Sequence, residues 1–314
     1  MKPPLVSVII CTRGRPDDLA LTLQSLRGVA VPPEVRAELV VVENSADRQA
    51  ETVVAGFRHP DLTVRYLSEP TAGKPHALNR AVRETQSDVL LFTDDDVRFP
   101  PDWIAGVCGP ILRGEADGVA GGVRLAPHLL RPWMGRLHRA WLASTADYLT
   151  APNPSEMCGA NMAVSRRAIE AAGPYNIELG PGRGNMEETV LSWQIRQRGF
   201  KIAAALDVQV EHHFSPGRLR YEHWVKVATE NGRSKAYLLH HWHHRRAALP
   251  ALRQIYFRFK LALRRALTGR RRAGDEGIPP WELSYQLDAS CWKHYRTERR
   301  RPRRYAPPSL TPSS

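Results

Sequence analysis

Cysteine is scarce in this chain. Four residues in 314 (Cys11, Cys108, Cys158 and Cys291) are scattered, with no C-x-x-C pair among them. Single thiols of that kind argue against a disulfide framework or a structural zinc site, and fit a reducing compartment. Long apolar runs are missing as well. No stretch approaches the roughly 18 unbroken apolar residues of a membrane-crossing helix. The opening "MKPPLVSVIICTRGR" holds an apolar run shorter than a secretory core and without a small-residue cleavage site, so it is expected to form the first strand of a cytoplasmic protein. Acidic residues are thin in one region only. Residues 245 to 304 contain 17 Lys and Arg against 5 Asp and Glu, so this fifth of the chain carries +12 of the net +13. The remainder is balanced. Charge placed this way speaks of partners and surfaces, not of the fold.

What is present is an ordinary globular composition, 42% hydrophobic and 25% charged. "LVSVIIC" (5–11), "ELVVVEN" (38–44), "TVRYLSE" (63–69) and "DVLLFTD" (88–94) are short β-branched runs typical of buried parallel strands. Helical patterns lie between them: Leu19, Leu23 and Leu26 after Pro16-Asp17-Asp18, and Ala77, Leu78, Ala81 and Val82 after Lys74. Alternation at this spacing predicts an α/β sandwich. A helix near 101–113 and a strand in "DGVAGGVRL" follow, while 127–154 gives no clear pattern. "CGANMAVSRRAIEAAGPY" reads as strand, helix and turn. "LGPGRGN" is a glycine loop able to close over a ligand, and it leads into a helix ending at Gly199, then two short strands at 201–206 and 208–213. From 221 onward the chain turns to helices rich in Trp, His and Arg. Residues 252, 255, 256, 259, 263, 266 and 267 form one apolar helical face flanked by arginines, a pattern suited to a membrane interface. The expected division is 1–215, a helical basic extension 216–304, and a disordered tail 305–314.

The chemistry concentrates in "SDVLLFTDDDVRFPPDW" (87–103), where three aspartates end a buried strand. A solvated turn is the plain alternative. Packed like charges are unfavourable unless a cation offsets them. A hard divalent ion, Mn2+ or Mg2+, that also takes the oxygens of a substrate diphosphate is the natural partner. Ligands in open α/β sheets sit beyond the carboxyl ends of the strands. That rule points to Thr12, Arg13, Glu43, Asn44, Glu69 and the run Asp94, Asp95, Asp96.

Six segments in order resemble a family 2 glycosyltransferase of GT-A fold, across about residues 5 to 215. They are "VSVIICTRGRP", "VVVENSAD", "GKPHALNRA", "LLFTDDDVRFPPDW", "GANMAVSRRA" and "LGPGRGNMEETVLSWQIRQRGFKI". The resemblance implies a Rossmann-like α/β/α sandwich that holds a nucleotide-sugar through Thr12, Arg13, Glu43, Lys74, Asn79, Asp94 and Asp95. It implies a metal, Mn2+ or Mg2+, on Asp96 and His212, and a base at Glu188, with Glu187 the alternative. Glu43 replaces the usual Asp, Glu187-Glu188 replaces the usual Glu-Asp, and the Gln-x-x-Arg-Trp motif of processive synthases is absent. The implied reaction is therefore inverting transfer of one sugar, with a UDP-sugar the expected donor and a glycan or lipid-linked acceptor. Acceptors of that kind, with the basic helices, place the protein in the cytoplasm, peripheral at the inner face of the cell membrane on anionic lipid. Two rivals remain: a nucleotidyltransferase of similar layout, which would need an early phosphate loop that "CTRGRPDD" barely suggests, and a basic binding module. No recognised nucleic-acid module is visible, and no nucleic acid is expected as a partner.

Overall fold

A computed structural model describes residues 2–180, 182, 184–269, 272 and 274–306. In chain order the strands and α-helices are β1 (Leu5–Thr12), α1 (Pro16–Leu26), β2 (Arg36–Glu43), α2 (Gln49–Ala55), β3 (Leu62–Ser68), α3 (Lys74–Glu84), β4 (Val89–Asp94), β5 (Val97–Arg98), α4 (Trp103–Leu112), β6 (Gly118–Leu125), α5 (Arg136–Trp141), β7 (Asn161–Ser165), α6 (Arg166–Ala172), α7 (Glu187–Gln197), β8 (Ile202–His212), α8 (Tyr221–His241), α9 (Pro250–Thr268) and α10 (Pro280–Glu298). The chain divides into two compact units. The first holds 1–132, 136–177 and 187–214, and the second 133–135, 178–186 and 215–314. Of the expected tail, 307–314 lies outside the described residues.

In the first unit, among the described residues, eight strands make one sheet in the order β3-β2-β1-β4-β7-β6-β8-β5. The side of the sheet each residue faces follows from the period of two. Val6, Val8 and Ile10 of β1, with Leu39 and Val41 of β2, face α1, α2 and α4. Ile9, Cys11, Val40, Val42, Leu90 and Phe92 face α3, α6 and α7. Both faces are covered, which is why these strands read as unbroken apolar runs. This is the expected α/β/α sandwich, with the helical extension in the second unit.

Residues 201–213 form one strand, not two. β8 is continuous, but its pairing with β6 shifts register between Gly121 and Gly122. Buried Asn161 stitches this bulge. Its Nδ2 donates to the carbonyls of Gly122 at 2.8 Å and Val208 at 2.9 Å, while its Oδ1 accepts from Trp103 Nε1 at 2.9 Å. A Cβ on Gly121 would lie 2.3 Å from the Asn161 amide, so the glycine makes room for the stitch. Beyond the bulge, β8 pairs antiparallel with β5, setting Val97 against His212.

In the second unit α8 and α9 flank α10. The "HHWHHRR" segment (240–246) holds residues 298–305. His240 Nε2 meets the Arg301 carbonyl at 2.9 Å, His244 Nε2 meets that of Tyr305 at 3.0 Å, and buried His241 pairs with Glu298 at 3.0 Å. Within the glycine loop, Gly184 has φ +108, and a Cβ there would collide with Ser234 of α8. Ser234 Oγ also donates to the Asn185 carbonyl at 2.7 Å.

Candidate active site

The aspartate run crosses the carboxyl end of the sheet, and its three members turn to different partners. Asp94 ends β4 half-buried, while Asp95 and Asp96 are buried in the turn to β5. Asp95 accepts from Thr12 Oγ1 at 2.6 Å, and its carbonyl accepts from Thr22 Oγ1 at 2.7 Å. Arg15, at the N-cap of α1, forms an ion pair with Asp95 and reaches Asp96 Oδ2 at 2.7 Å. Burial pushes the Asp95 carboxyl up to about 7 against the pull of Arg15, and the negative charge of Asp96 adds to the rise.

His212 lies beside Asp96 because β5 brings the end of β8 there, and the His213 N–H donates to the Asp96 carbonyl at 2.7 Å. The His212 ring is oriented by Nδ1, 2.9 Å from the Leu142 carbonyl. Assigning the proton to Nδ1 turns the Nε2 lone pair toward Asp96 Oδ1, 3.4 Å away. Two acceptors facing one another need a proton or a cation between them. A backbone carbonyl fixing the far nitrogen is the support that metal-binding histidines commonly have. No third His, Cys, Asp or Glu joins them in a ligand cluster among the described residues. The protein's share of a divalent site would thus be one carboxylate and one imidazole.

The other half of the site is built on Asp94. Lys74, first residue of α3, donates from Nζ to Asp94 Oδ1 at 2.7 Å. Burial would lower the Lys74 ammonium, but the carboxylates of Asp94, Glu187 and Glu188 outweigh it and hold it well above the ordinary lysine range. Glu187 and Glu188 occupy the first turn of α7, where a helix N-terminus favours negative charge. Burial, then the neighbouring Glu188, raises the Glu187 carboxyl well above the usual range. Oε2 of each glutamate is buried and finds no hydrogen-bond partner among the described residues. Gly159 keeps a hollow open here: a Cβ would sit 3.3 Å from Glu188 Oε1 and 3.5 Å from Lys74 Nζ.

Thr12, Lys74, Asp94, Asp95, Asp96, Glu187, Glu188 and His212 are therefore assembled at one end of the sheet. Three expected residues stand apart from this group. Arg13 stands exposed. Glu43 is fully buried, accepting from Ser45 Oγ at 2.9 Å, Tyr66 Oη at 2.8 Å and the Ala50 N–H at 3.0 Å, so its carboxylate secures the start of α2. Asn79 exchanges two hydrogen bonds with the Tyr175 backbone, at 2.8 and 2.9 Å, and clamps α3 to the turn after α6. Sequence reasoning missed Arg15 and Gly159. The signal for Arg15 was its place just before Pro16, which fixes it at the cap of α1 beneath the aspartates. Burial pushes the Cys11 and Cys158 thiols up to about 12, which disfavours their thiolates.

Comparison with known proteins bears on this geometry. The model for "Glycosyl transferase family 2" matches residues 7–173. A succinoglycan biosynthesis protein, ExoM, of Rhizobium meliloti is 31% identical over 121 residues, covering 38% of either chain. An uncharacterized protein of Sinorhizobium fredii, y4gI, is 27% identical over 239 residues, covering 68% of this chain and 25% of its own. The chain thus spans well under half the length of these curated relatives. Among solved structures, a mannosyltransferase from Pyrobaculum calidifontis in complex with GDP-Man and Mn2+ superposes with TM-score 0.62 at 17% identity, covering 93% of this chain and 87% of that one. S. aureus TarS 1-349 superposes at 0.52 with 15% identity, covering 94% and 90%. Identities this low speak for the fold alone.

Proposed function

The chain belongs to glycosyl transferase family 2, and on that premise we propose an inverting, metal-dependent transfer of a single sugar from a nucleoside-diphosphate sugar to a hydroxyl acceptor. One observation carries the reading. The two outer residues of a single aspartate run face different partners, with Asp96 beside His212 and Asp94 beside Lys74, near the glutamates of α7. The donor's diphosphate belongs on the first side and the acceptor hydroxyl on the second.

In this reading Asp96 and His212 would hold a divalent cation, which would supply charge stabilisation to a departing diphosphate. An imidazole nitrogen among the donors favours Mn2+ over Mg2+. Thr12 and Arg15 fix Asp95 behind it. Lys74, held on Asp94, keeps positive charge among the carboxylates. Glu188 takes the acceptor proton as the hydroxyl oxygen attacks the anomeric carbon. The bond to the diphosphate breaks on the opposite face, and the anomer inverts. Glu187 is the less accessible of the two, because it is buried, whereas Glu188 is half-buried beside Gly159. A UDP-sugar donor and a lipid-linked or cell-surface glycan precursor as acceptor complete the reading. The likeness to a succinoglycan biosynthesis protein supports polysaccharide assembly, and in this reading the enzyme works at the inner face of the cell membrane.

The test is thermal stability with UDP, GDP, dTDP, CMP and ATP, each with and without Mn2+, on the wild type and on Asp96→Ala. A ligand at 100 times its Kd adds about 2.7 kcal/mol of stability. The expected result is an Mn2+-dependent shift for one diphosphate that the variant loses. No shift with any nucleotide would remove the donor site from the reading.

A further inference from the structure

α9 is amphipathic in an unusual sense, because its apolar side faces away from the unit that carries it. Gln254, Phe257, Leu261 and Arg265 line its inner side, of which Leu261 is buried and Arg265 pairs with Glu282 of α10. Leu252, Ile255, Tyr256, Phe259, Leu263 and Leu267 cover the opposite arc and are exposed, from 48% at Leu263 to 77% at Leu267. Helical spacing places these six on one side. Scattered exposed leucines need no explanation, but a row of six large side chains along one helix does.

The borders of the row identify what covers it. Exposed Arg258 lies along one border. Along the other, Arg253, Lys260 and Arg264 lie over aromatic rings of α10, with Arg253 4.8 Å from the Trp292 centroid, Lys260 4.8 Å from Tyr285 and Arg264 4.8 Å from Trp281. Cations stretched beside half-buried Trp and Tyr, edging an apolar row, are the side chains that favour the boundary between acyl chains and headgroups. Residues 250–274 contain eight Lys and Arg and no Asp or Glu. A second copy of the same face would bring these like charges together. A nucleic-acid backbone would answer the cations but leave the six apolar side chains in water. An anionic lipid surface answers both.

We infer that α9 is a membrane-docking helix, lying flat in the interface of an anionic bilayer with Phe259 and Leu263 at the centre of its buried face. The inference stands apart from the transfer chemistry, because docking requires no donor, acceptor or metal.

The experiment is flotation of the full chain with phosphatidylcholine vesicles and with 7:3 phosphatidylcholine:phosphatidylglycerol vesicles, at low and high salt. The expected result is binding to the anionic vesicles, weakened by salt. Leu263→Glu should lower the partition coefficient by about tenfold or more. Arg258→Glu should lower it less. Both positions are exposed, so the melting temperature and any nucleotide-dependent shift should match the wild type, which separates loss of docking from loss of fold or donor binding. Absence of binding to anionic vesicles would overturn the inference. So would a Leu263→Glu chain that floats like the wild type, since attraction would then be charge alone. A wild-type dimer by light scattering that Leu263→Glu dissociates would assign the face to self-association instead.

Discussion

Two helices with the same apolar spacing meet opposite fates. In the first unit α1 places Leu19, Leu23 and Leu26 at i, i+4 and i+7, and none is more than 1% exposed. In the second, α9 repeats the interval in Leu252, Tyr256 and Phe259, all exposed. The periodicity announces a stripe but not the direction it faces. That depends on what else each helix offers. The far side of α1 carries Asp17, Asp18 and Gln24 beside exposed Leu21, so the side with Leu19, Thr22, Leu23 and Leu26 meets the sheet. On α9 the side opposite the stripe already provides Phe257, Leu261 and Arg265 for α10, and the stripe is left over. The polar groups differ in arrangement: the first unit gathers several carboxylates at one end of its sheet, whereas the second buries Glu282 and Glu298 singly, each in an ion pair.

The sharpest break in this contrast is made at the clustered carboxylates. Glu188→Gln keeps size and removes the base, so turnover should fall by about 10²–10⁴-fold, measured as nucleoside diphosphate released from the donor that the stability panel identifies. Its melting temperature should stay near that of the wild type. Next comes the apolar comparison itself. Leu23→Ala should cost about 2–5 kcal/mol in denaturant unfolding, whereas Leu263→Ala should stay within about 0.5 kcal/mol of the wild type. Equal costs at the two sites would erase the distinction. At the β6 bulge, Gly121→Ala drives a methyl into Asn161 and should cost about 1–3 kcal/mol.

A smaller effect concerns pH. Because the folded-state pKa of Glu187 lies above its unfolded value, the fold favours the protonated carboxyl. Its stabilisation is complete below the unfolded value and is lost as pH rises through the folded one. Glu187→Gln mimics the protonated form, so its melting temperature should gain on the wild type as pH rises from 5 to 8. A constant difference across that range would mean that the Glu187 carboxyl is not raised in the fold.

Much of this was legible in the residues. Unbroken β-branched runs revealed the parallel strands, because both faces of the sheet are covered. The aspartate run stood out because like charges need a cation, and the stripe of α9 stood out by period alone. What escaped depends on distant partners. Glu43 and Asn79 occupy positions that suit a ligand, but their hydrogen bonds go to Tyr66 and Tyr175, and no local pattern announces such a choice. Residues 201–213 looked like two strands because Asp207 interrupts the alternation, whereas the bulge absorbs the interruption and the strand runs on. β5, two residues long, has no periodicity to detect.

That small strand also sets an order of assembly. Its rungs join Val97 to His212 and Arg98 to Glu211, so Asp96 leaves the ribosome long before the segment that completes its surroundings. Pairings so distant in sequence form late, after the loop between them has been closed. A nascent chain lacking β8 already carries the aspartates, Thr12 and Arg15, but not the imidazole. Donor binding should therefore switch on in one step once β8 has been made and has paired with β5, making nucleotide affinity a gauge of that pairing.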